Sequence, residues 1–483
     1  MRTQVRVLSD EERTLVHERT LTVLGTTGLR VDSARARAIL AEAGARVDED
    51  SRRVRFPAEL VERSLAAAPK RFSLGGRRPD WSLPMNDGHT TLCIDGEAVH
   101  VIDPVTGDLR VADHGDWERA TRLIDATDAV GVYWRTVEGG VADDSPAAAV
   151  GHLTEALGLF SKHIQDGTLD PAATGWLLEV LGTVFGGREG VRRAHPYSFL
   201  VCPLSPLVLE GPDTDAYLAT LGWDIPIAVM PMPIMGLTAP VGLLDTIVLG
   251  NAEVLAMLSL VQSAAPGTPF IYAPALAVMD PRSGRWVGGP VEHALLGAAV
   301  TEVARGYGLP VMASSGGSDA HVPGVQAAYE RATNWVLPAL AWPDILVGPG
   351  CLSGSTILSL EQLIIDLEVF RRCERLHRGI QDLALEPVEA AIADAGPGGD
   401  FIARTATRDA VRRGEWSIDR MGVHDAFERW DADGRPDLMD EIRAVIETTI
   451  AGHRPLPLDE ATVRELERIE QAARSGATPP GVG

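Results

Sequence analysis

The sequence predicts an α/β protein in which a (β/α)8 barrel, or TIM barrel, follows an N-terminal α+β unit and precedes a helical C-terminal segment. From residue 128 onward, short apolar runs alternate with longer helical patterns, which is typical of a parallel sheet. The alternation lasts for about 250 residues, the usual length of one closed barrel. Because no GxGxxG motif follows an early strand, an open dinucleotide-binding sheet is disfavoured.

The N-terminal unit, residues 1–112, begins with helical signals. Ser9 and Glu12 have the spacing of a capping box before an apolar-periodic stretch, and Gly28 ends that helix. A second helix is predicted over residues 33–43. Pro57 stands at the first position of a third helix, where proline is favoured.

The same unit contains strand signals. Residues 46–48 and 53–56 form two short strands around an acidic turn. Alternating apolar and polar residues over 90–112 predict a β-hairpin, with the sequence PVTG at 104–107 as its turn.

The barrel is predicted over residues 113–383, beginning with a helix capped by Asp113. Its strands are predicted at 130–134, 197–202, 225–230, 269–273, 309–313 and 344–347. Its long helices are predicted at 240–264, 290–307 and 323–341. The charge-rich tail, 384–483, is predicted to add helices at 404–413, 438–451 and 458–474.

Composition limits the partners of the protein. The 67 acidic and 44 basic residues give a net charge of -23, which would repel both nucleic acid and an anionic membrane. The four cysteines form no CxxC pair, so a disulfide framework or a structural zinc site is not expected. Since the N-terminus shows no signal-peptide pattern, we expect a cytoplasmic protein. A homo-oligomer is expected because twofold homodimers are the commonest assemblies.

The active site of such a barrel lies at the carboxyl ends of its strands, and this rule selects the segment SSGGSDAH at 314–321. Asp319 and His321 offer a carboxylate and an imidazole, while Gln326 and Glu330 lie on one face of the next helix. In the alternative interpretation, Asp319 caps that helix and His321 is a surface residue. Glycines in the segment would let the backbone approach a ligand.

Aromatic residues at predicted strand ends or in loops are a second set of candidates. Two or three of them together would make a cage for a quaternary ammonium cation. Alternatively, each fills a core position. The residues concerned are Tyr133, Trp134, Trp223, Tyr272, Trp286, Trp335 and Trp342.

Other catalytic motifs are missing from the sequence. There is no HExxH metal motif, no GxSxG nucleophile elbow and no Walker loop. Cys202 ends a predicted strand but has no visible partner, and Lys162 is the only lysine after Lys70. A lyase or aldolase barrel, which would need a Schiff-base lysine or a metal site, is therefore disfavoured.

Several segments, in order, resemble the trimethylamine methyltransferase family. They include the opening helices at 8–50, the block FPAELVERSLAAAPKRFSLGGR and the hairpin with its helix at 101–126. In the barrel they include residues 238–284, 307–346 and 359–373. The tail segment GGDFIARTATRDAVRRGEW also fits, so that the resemblance extends from about residue 8 to 474.

The resemblance implies a TIM barrel that moves a methyl group from a quaternary or tertiary methylated amine to cob(I)alamin. The cobalamin would be carried by a separate small corrinoid-binding protein, and no tightly bound metal is expected on this chain. Since ordinary residues continue through the region where founding members carry pyrrolysine, the chain looks like the non-pyrrolysine branch. Known substrates of that branch include glycine betaine.

The implied chemistry gives each candidate residue an expected role. Cob(I)alamin is itself a strong nucleophile, so the protein would mainly position the substrate and stabilise charge. The catalytic candidates are Asp319, His321 and Glu330; the substrate-binding candidates are Tyr133, Trp134, Tyr272, Ser314, Gly316, Gln326 and Trp335. An alternative remains open: an inactive barrel that binds a methylated ammonium ligand without transferring its methyl group.

Overall fold

Eight parallel strands close into a barrel in the order in which they occur along the chain. We describe a computed structural model at residues 3–103, 106–138, 145–168, 170–314, 317–380 and 385–479. The strands are Thr91–Cys93, Val130–Tyr133, His163–Asp166, Tyr197–Val201, Ile227–Val229, Phe270–Tyr272, Met312–Ser314 and Ile345–Val347. A parallel bridge from Tyr272 to Val311 closes the ring between the sixth and seventh strands. The predicted TIM barrel is therefore confirmed.

A helix or helix pair follows each strand and covers the outside of the barrel. In chain order these helices are His114–Asp125, Pro146–Leu159, Pro171–Phe185 with Gly187–Ala194, Gly211–Leu218, Leu243–Ala264, Val291–Gly306, Val325–Ala341 and Leu360–Arg378. The first of them follows the first strand after a hairpin insertion. The three long helices predicted from the sequence are all present.

Two barrel strands differ from the prediction. Thr91–Cys93, which the alternation placed in the hairpin, is instead the first barrel strand, paired with the second and eighth strands. The third strand, His163–Asp166, was not among the predicted strands. Both are short, and the third carries polar side chains inside the barrel, so neither has the apolar run of a buried parallel strand.

The hairpin itself is present further along the chain. His100–Ile102 pairs in antiparallel fashion with Leu109–Val111, and Pro104 and Val105 of the predicted turn lie outside the described residues. The strands Cys351–Leu352 and Ile357–Leu358 extend it into a four-stranded sheet. A second small sheet at the carboxyl end of the barrel joins Ile234–Met235, Ala277–Met279 and Trp286–Val287.

The N-terminal unit contains the three predicted helices and two predicted strands in order, with one unpredicted strand, Leu29–Val31, between the first two helices. Its helices are Asp10–Thr26, Ala34–Glu42 and Ala58–Ala67, and its strands are Leu29–Val31, Arg46–Asp48 and Arg53–Arg55, joined by Val208–Leu209 from the barrel. Ser9 and Glu12 form the predicted capping box. Gly28 has a φ of 65° and lies so close to the Val54 carbonyl that a side chain there would collide with it. Pro57 is the N-cap of its helix, one position earlier than predicted.

The helix Leu243–Ala264 packs between the N-terminal unit and the barrel. It is long and apolar enough to cross a membrane by length and composition, but 89% of its most apolar stretch is buried inside the protein. Its neighbours are the helices Asp10–Thr26 and Ala58–Ala67. Burial against protein on most sides indicates a core helix.

The hairpin formed by Ser73–Gly75 and Ser82–Pro84 closes the amino end of the barrel. Leu74, Leu83 and Met85 are buried with barrel side chains such as Val132 and Ile271. Because this end is filled with apolar side chains, the barrel leaves space for a ligand toward the carboxyl ends of its strands.

The C-terminal segment consists of the helices Val388–Ala395, Thr405–Arg412, Phe427–Ala432, Leu438–Gly452 and Glu460–Arg474. The last one packs on Pro146–Leu159 and Pro171–Phe185, and Leu438–Gly452 packs on Leu360–Arg378. The three helices predicted for the tail are present.

Candidate active site

A cavity of about 500 Å³ lies at the carboxyl ends of the barrel strands. Drug-sized ligands occupy cavities of roughly 300–1,000 Å³, so this one suits a small molecule. It is lined by Asp95, Gly96, Glu97, Trp134, Arg135, Gln165, Asp166, Leu200, Cys202, Met230, Met232, Ile234, Ala275, Ala277, Trp286, His293, Ser314, Gly317, Gly348, Gly354 and Ser355.

Two tryptophans stand in the wall of the cavity, Trp134 after the second strand and Trp286 on the small sheet after the sixth. Each has a glycine packed against its indole. A Cβ atom on Gly96 would lie 3.3 Å from Cε3 of Trp134, and one on Gly354 would collide with the six-membered ring of Trp286. The two indoles are therefore held in place from behind by backbone.

A buried chain of hydrogen bonds orients Trp134. Its Nε1 donates to Oε1 of Gln165 over 2.8 Å, and Nε2 of Gln165 donates to the Ser198 hydroxyl over 2.9 Å. The same hydroxyl lies 2.8 Å from Nε2 of His163, whose Nδ1 lies 3.1 Å from the Gly75 carbonyl. This chain explains the polar interior of the third strand, because its side chains connect the cavity wall to the hairpin that closes the barrel.

Three carboxylates line the cavity on the side of the first and third strands. Asp95 and Glu97 follow the first strand, and Asp166 ends the third. Burial, together with the nearby charge of Glu97, raises the pKa of Asp166 to about 7, against the opposing effects of the Gly167 N–H and Arg135. Burial also raises the pKa of Asp95, whose carboxylate accepts a hydrogen bond from Ser355. This side of the cavity attracts cations.

Glu97 is strained in its backbone. Its φ is 59°, a left-handed conformation that is uncommon outside glycine, and its N–H donates to the Arg135 carbonyl over 2.7 Å. The turn therefore holds the loop after the first strand against the loop after the second. Strain of this kind is concentrated at ligand sites.

Arg135 and His293 are the basic side chains of the lining. Nη2 of Arg135 donates to the Glu138 carbonyl over 3.0 Å, while its buried Nε has no hydrogen-bond partner among the described residues. His293 is buried and its Nδ1 lies 3.3 Å from the Gly288 carbonyl, so Nδ1 donates and Nε2 is left unprotonated. Burial lowers the pKa of His293, which keeps the imidazole neutral.

The remaining wall is apolar. Leu200, Met230, Met232 and Ile234 supply side chains that exclude water. Met232 is 49% exposed although it lines the cavity, so the cavity opens to solvent there. Burial raises the pKa of the Cys202 thiol to about 12, which rules out a thiolate nucleophile at neutral pH.

Of the predicted site residues, Trp134 and Ser314 line the cavity, and so does Trp286 from the wider set of aromatic candidates. Asp319, Gln326 and Glu330 come together, but behind the wall. Oε2 of Glu330 accepts from the Ser318 hydroxyl and from the Asp319 N–H, at 2.7 and 2.9 Å, and Oε1 accepts from Gln326 over 3.0 Å. These carboxylates hold loops rather than face the cavity. His321 is exposed, and its Nδ1 lies 2.9 Å from the Ser353 hydroxyl.

Of the other predicted aromatics, Trp223 and Trp342 are half-buried outside the cavity lining, and Tyr133, Tyr272 and Trp335 are fully buried outside it. The Tyr133 hydroxyl bonds Trp117 and His152 on the outer helices, at 2.8 and 3.2 Å. The Tyr272 hydroxyl donates to Asn251, and Trp335 packs between Arg331 and Phe370. Successive side chains of a strand point to opposite sides. Tyr133 and Tyr272, the last residues of the second and sixth strands, therefore point out of the barrel. Gly316 lies outside the described residues.

Sequence reasoning missed Asp95, Glu97, Arg135, Asp166 and His293. A signal was available for the carboxylates: each follows a short strand at its carboxyl end, where the barrel rule selects functional residues. The rule did not select them because the first strand had been assigned to the hairpin and the third had not been recognised. In the part of the chain that the structure describes, no group of three or more His, Cys, Asp or Glu side chains could hold a metal ion.

A barrel with a tryptophan-walled, acidic cavity at its carboxyl end has the architecture of a barrel enzyme that acts on a small ligand. The family model described as "Trimethylamine methyltransferase (MTTB)" matches residues 1–476. The chain therefore belongs to the trimethylamine methyltransferase family, and it is an enzyme of the methyltransferase class.

Several known proteins are similar to this chain. The chain is 29% identical to the trimethylamine methyltransferase MttB of Desulfitobacterium hafniense over 95% of this chain and 92% of that protein. It is 25% identical to a glycine betaine methyltransferase of Desulfitobacterium hafniense, over 88% of both. The solved monomethylamine methyltransferase MtmB of Methanosarcina barkeri is 11% identical, with a TM-score of 0.47 over 96% of this chain and 91% of that chain.

Proposed function

We propose that this enzyme takes a methyl group from a quaternary or tertiary methylated amine and passes it to the cob(I)alamin of a separate corrinoid protein. The observation that carries the proposal is a single cavity lined by two indole rings and three carboxylates. Indole faces and carboxylates both attract an ammonium group, and the indoles do so without needing an N–H. The family, and the relatives named for trimethylamine and glycine betaine, support the same substrate class.

The proposed reaction requires little acid–base catalysis from the protein. In the proposed transfer the electron pair of cob(I)alamin forms a bond to the methyl carbon, and the C–N bond breaks with its electron pair going to nitrogen. A quaternary ammonium thus leaves as a neutral tertiary amine and needs no proton. Trp134 and Trp286 would hold the cation, and the apolar wall would exclude water from it.

The methyl acceptor would come from outside. A corrinoid is larger than the ligands that fit a cavity of about 500 Å³, so the acceptor would stand at the mouth while the amine lies inside. Met232 of the lining, and Leu237 and Val241 on the segment that follows it, are 49, 58 and 83% exposed. Exposed apolar side chains near an opening suit a protein partner, and we assign this partner as a small corrinoid-binding protein.

A betaine is the narrower substrate that we favour. The buried Nε of Arg135 and the Ser314 hydroxyl could donate to a substrate carboxylate, while the indoles hold its ammonium end. Trimethylamine has no carboxylate, so it would offer the Arg135 guanidinium no hydrogen-bond acceptor. We also expect the enzyme to act in the cytoplasm as a homo-oligomer.

An anaerobic assay tests the function. The purified protein is mixed with cob(I)alamin and, in turn, with glycine betaine, proline betaine, carnitine, choline or trimethylamine, and loss of the cob(I)alamin absorbance is followed. The proposal expects turnover with at least one amine, fastest with a betaine. Absence of turnover with every amine, even after a corrinoid protein is added, would contradict it; binding without turnover would favour the inactive barrel.

Variants connect the assay to the cavity. Replacing Trp134 with leucine removes one indole face, so we expect KM or the Kd for the amine to rise about three- to thirtyfold. Trp416→Leu is the matched control, because Trp416 is 55% exposed on the C-terminal segment. Equal effects of the two substitutions would show that the cavity is not the binding site.

A further inference from the structure

Three loops interlock around Trp286. The first, after the sixth strand, runs from Trp286 to Gly288 and Gly289 and then enters the helix that carries His293. The second follows the seventh strand and contains Gly317 and Asp319. The third follows the eighth strand and places Gly354 against the indole of Trp286. Trp286 and His293 both line the cavity, and their rings meet edge to face at 6.4 Å.

The Asp319 carboxylate joins the first two loops. Its Oδ1 accepts from the Gly288 N–H over 2.9 Å and its Oδ2 from the Gly289 N–H over 3.0 Å. Hydrogen bonds from backbone N–H groups to a charged acceptor are among the stronger ones in proteins. Asp319 itself is held from behind, because its N–H donates to Glu330 over 2.9 Å.

Asn334 binds carbonyl groups at the junction of these two loops, which is the contact between Gly288–Gly289 and Gly317. Its buried Nδ2 donates to the carbonyls of Gly288, Gly289 and Gly317 over 3.0, 3.1 and 3.3 Å. The backbones approach so closely that a Cβ on Gly317 would lie 2.7 Å from the Gly288 Cα. The glycines are needed here for contact between two loops, and any side chain would push them apart.

We propose that Asp319 and Asn334 are positioning residues that set where the Trp286 indole and the His293 imidazole stand in the cavity wall. Neither residue lines the cavity, so both act through the Gly288–Gly289 backbone. The consequence is specific: loosening the junction weakens binding of the ammonium group and leaves the transfer step of bound substrate nearly unchanged. This inference rests on the proposed function, which makes the cavity an ammonium site.

Asp319→Asn tests the proposal. The isosteric amide keeps one acceptor oxygen but turns an N–H donor toward a backbone N–H, so one bond to the glycine pair is lost. We expect the Kd for tetramethylammonium, measured by calorimetry, to rise about tenfold. With a methyl donor that turns over, KM should rise by a similar factor while kcat stays within about twofold.

A spectroscopic signal reports on Trp286 without any ligand. The near-ultraviolet circular dichroism of the wild type minus that of Trp286→Phe isolates the band of this indole. Asp319→Asn should alter that band while far-ultraviolet dichroism is unchanged. Gly354→Ala should alter it independently, because the added methyl group would enter the indole and the Gly354 φ of 64° disfavours a side chain.

Asp459→Asn is the matched control, since Asp459 also accepts two backbone N–H bonds, from Ala461 and Thr462, at an exposed helix cap. It should change neither the band nor the Kd. In the Trp286→Phe background, Asp319→Asn should weaken binding less than it does in the wild type. An unchanged Trp286 band in Asp319→Asn, or equal weakening in both backgrounds, would overturn the proposal. If the wild type does not bind tetramethylammonium, the ammonium site is refuted instead. The Trp286 band would still show whether Asp319 positions this indole.

Discussion

Asp166 and Asp319 show how the surroundings of one residue type decide its role. Asp319 accepts two N–H bonds from a neighbouring loop, so its charge stabilises backbone. Asp166 accepts from the adjacent Gly167 N–H over 2.7 Å, and it faces the cavity near Glu97. Because its ionised form is poorly stabilised by the protein, Asp166 gains most from an approaching cation.

This difference predicts a pH dependence. A quaternary ammonium has no proton to lose, so a change in its affinity must come from the protein. Since the pKa of Asp166 is raised to about 7, the carboxylate forms as pH rises through neutrality, and the Kd for tetramethylammonium should fall about tenfold between about pH 6 and pH 8. Calorimetry at constant ionic strength measures it.

Asp166→Asn should bind weakly and with a flat pH profile, because the titrating group is gone. Asp459→Asn, far out on the C-terminal segment, should keep the wild-type profile. A pH dependence that survives in Asp166→Asn would assign the effect to another group, with Glu97 and Asp95 as the next carboxylates of the lining.

At the scale of elements, one buried amide connects three parts of the fold. Asn251, on the core helix Leu243–Ala264, donates to Thr20 of the N-terminal unit and to the Tyr307 hydroxyl, both over 2.9 Å. It accepts from the Tyr272 hydroxyl of the sixth strand, also over 2.9 Å. The helix is thus fixed in register against the N-terminal unit and the barrel by a fully bonded side chain.

Replacing Asn251 with alanine should therefore be costly. It leaves buried hydroxyls with fewer partners and a small void, and we expect a loss of about 2–4 kcal/mol in the free energy of unfolding. Tyr272→Phe removes only one hydroxyl and should cost about 1 kcal/mol. Thermal denaturation measures both. Because Tyr272 lies outside the cavity, Tyr272→Phe should leave KM unchanged. A raised KM would instead support the substrate-binding role that the sequence predicted for Tyr272.

At the scale of the whole molecule, the C-terminal segment packs against the outside of the ring of barrel helices. Leu466 and Ile469 of the last helix are fully buried, and this helix packs on the helices after the second and third strands. The segment before it is attached by His453, whose Nε2 lies 2.7 Å from Asp125, and by Arg77, which donates to the Leu456 carbonyl. The tail is therefore part of the barrel's outer layer.

A double substitution tests this attachment. Leu466→Ala with Ile469→Ala should cost roughly 4–8 kcal/mol, because each truncation leaves a cavity in a buried contact. The melting temperature should drop, and limited proteolysis should cut the tail first. Val463→Ala, on the same helix but 39% exposed, is the matched control and should change neither readout by much. Resistance of the double variant to protease would show that the tail is held by other contacts.

The fold was predictable where periodicity was strong. The capping box at Ser9, the three long barrel helices, the helices of the tail and the apolar strands followed from local pattern. The period of apolar residues in such an element reflects which of its faces are buried. His163–Asp166 was not predicted because its inward side chains form the polar chain behind Trp134. Thr91–Cys93 was misassigned because three residues carry too little pattern to separate a barrel strand from a hairpin strand.

The sequence by itself thus determined the barrel, six of its eight strands and, through the whole-chain resemblance, its family. Only the tertiary structure decided which side chains meet. Tyr133 and Trp134 are neighbours in sequence, yet one bonds the outer helices and the other walls the cavity, because successive side chains of a strand point to opposite sides. Trp134 and Trp286 are distant in sequence and share one cavity, because barrel closure brings all the strand ends to the same mouth.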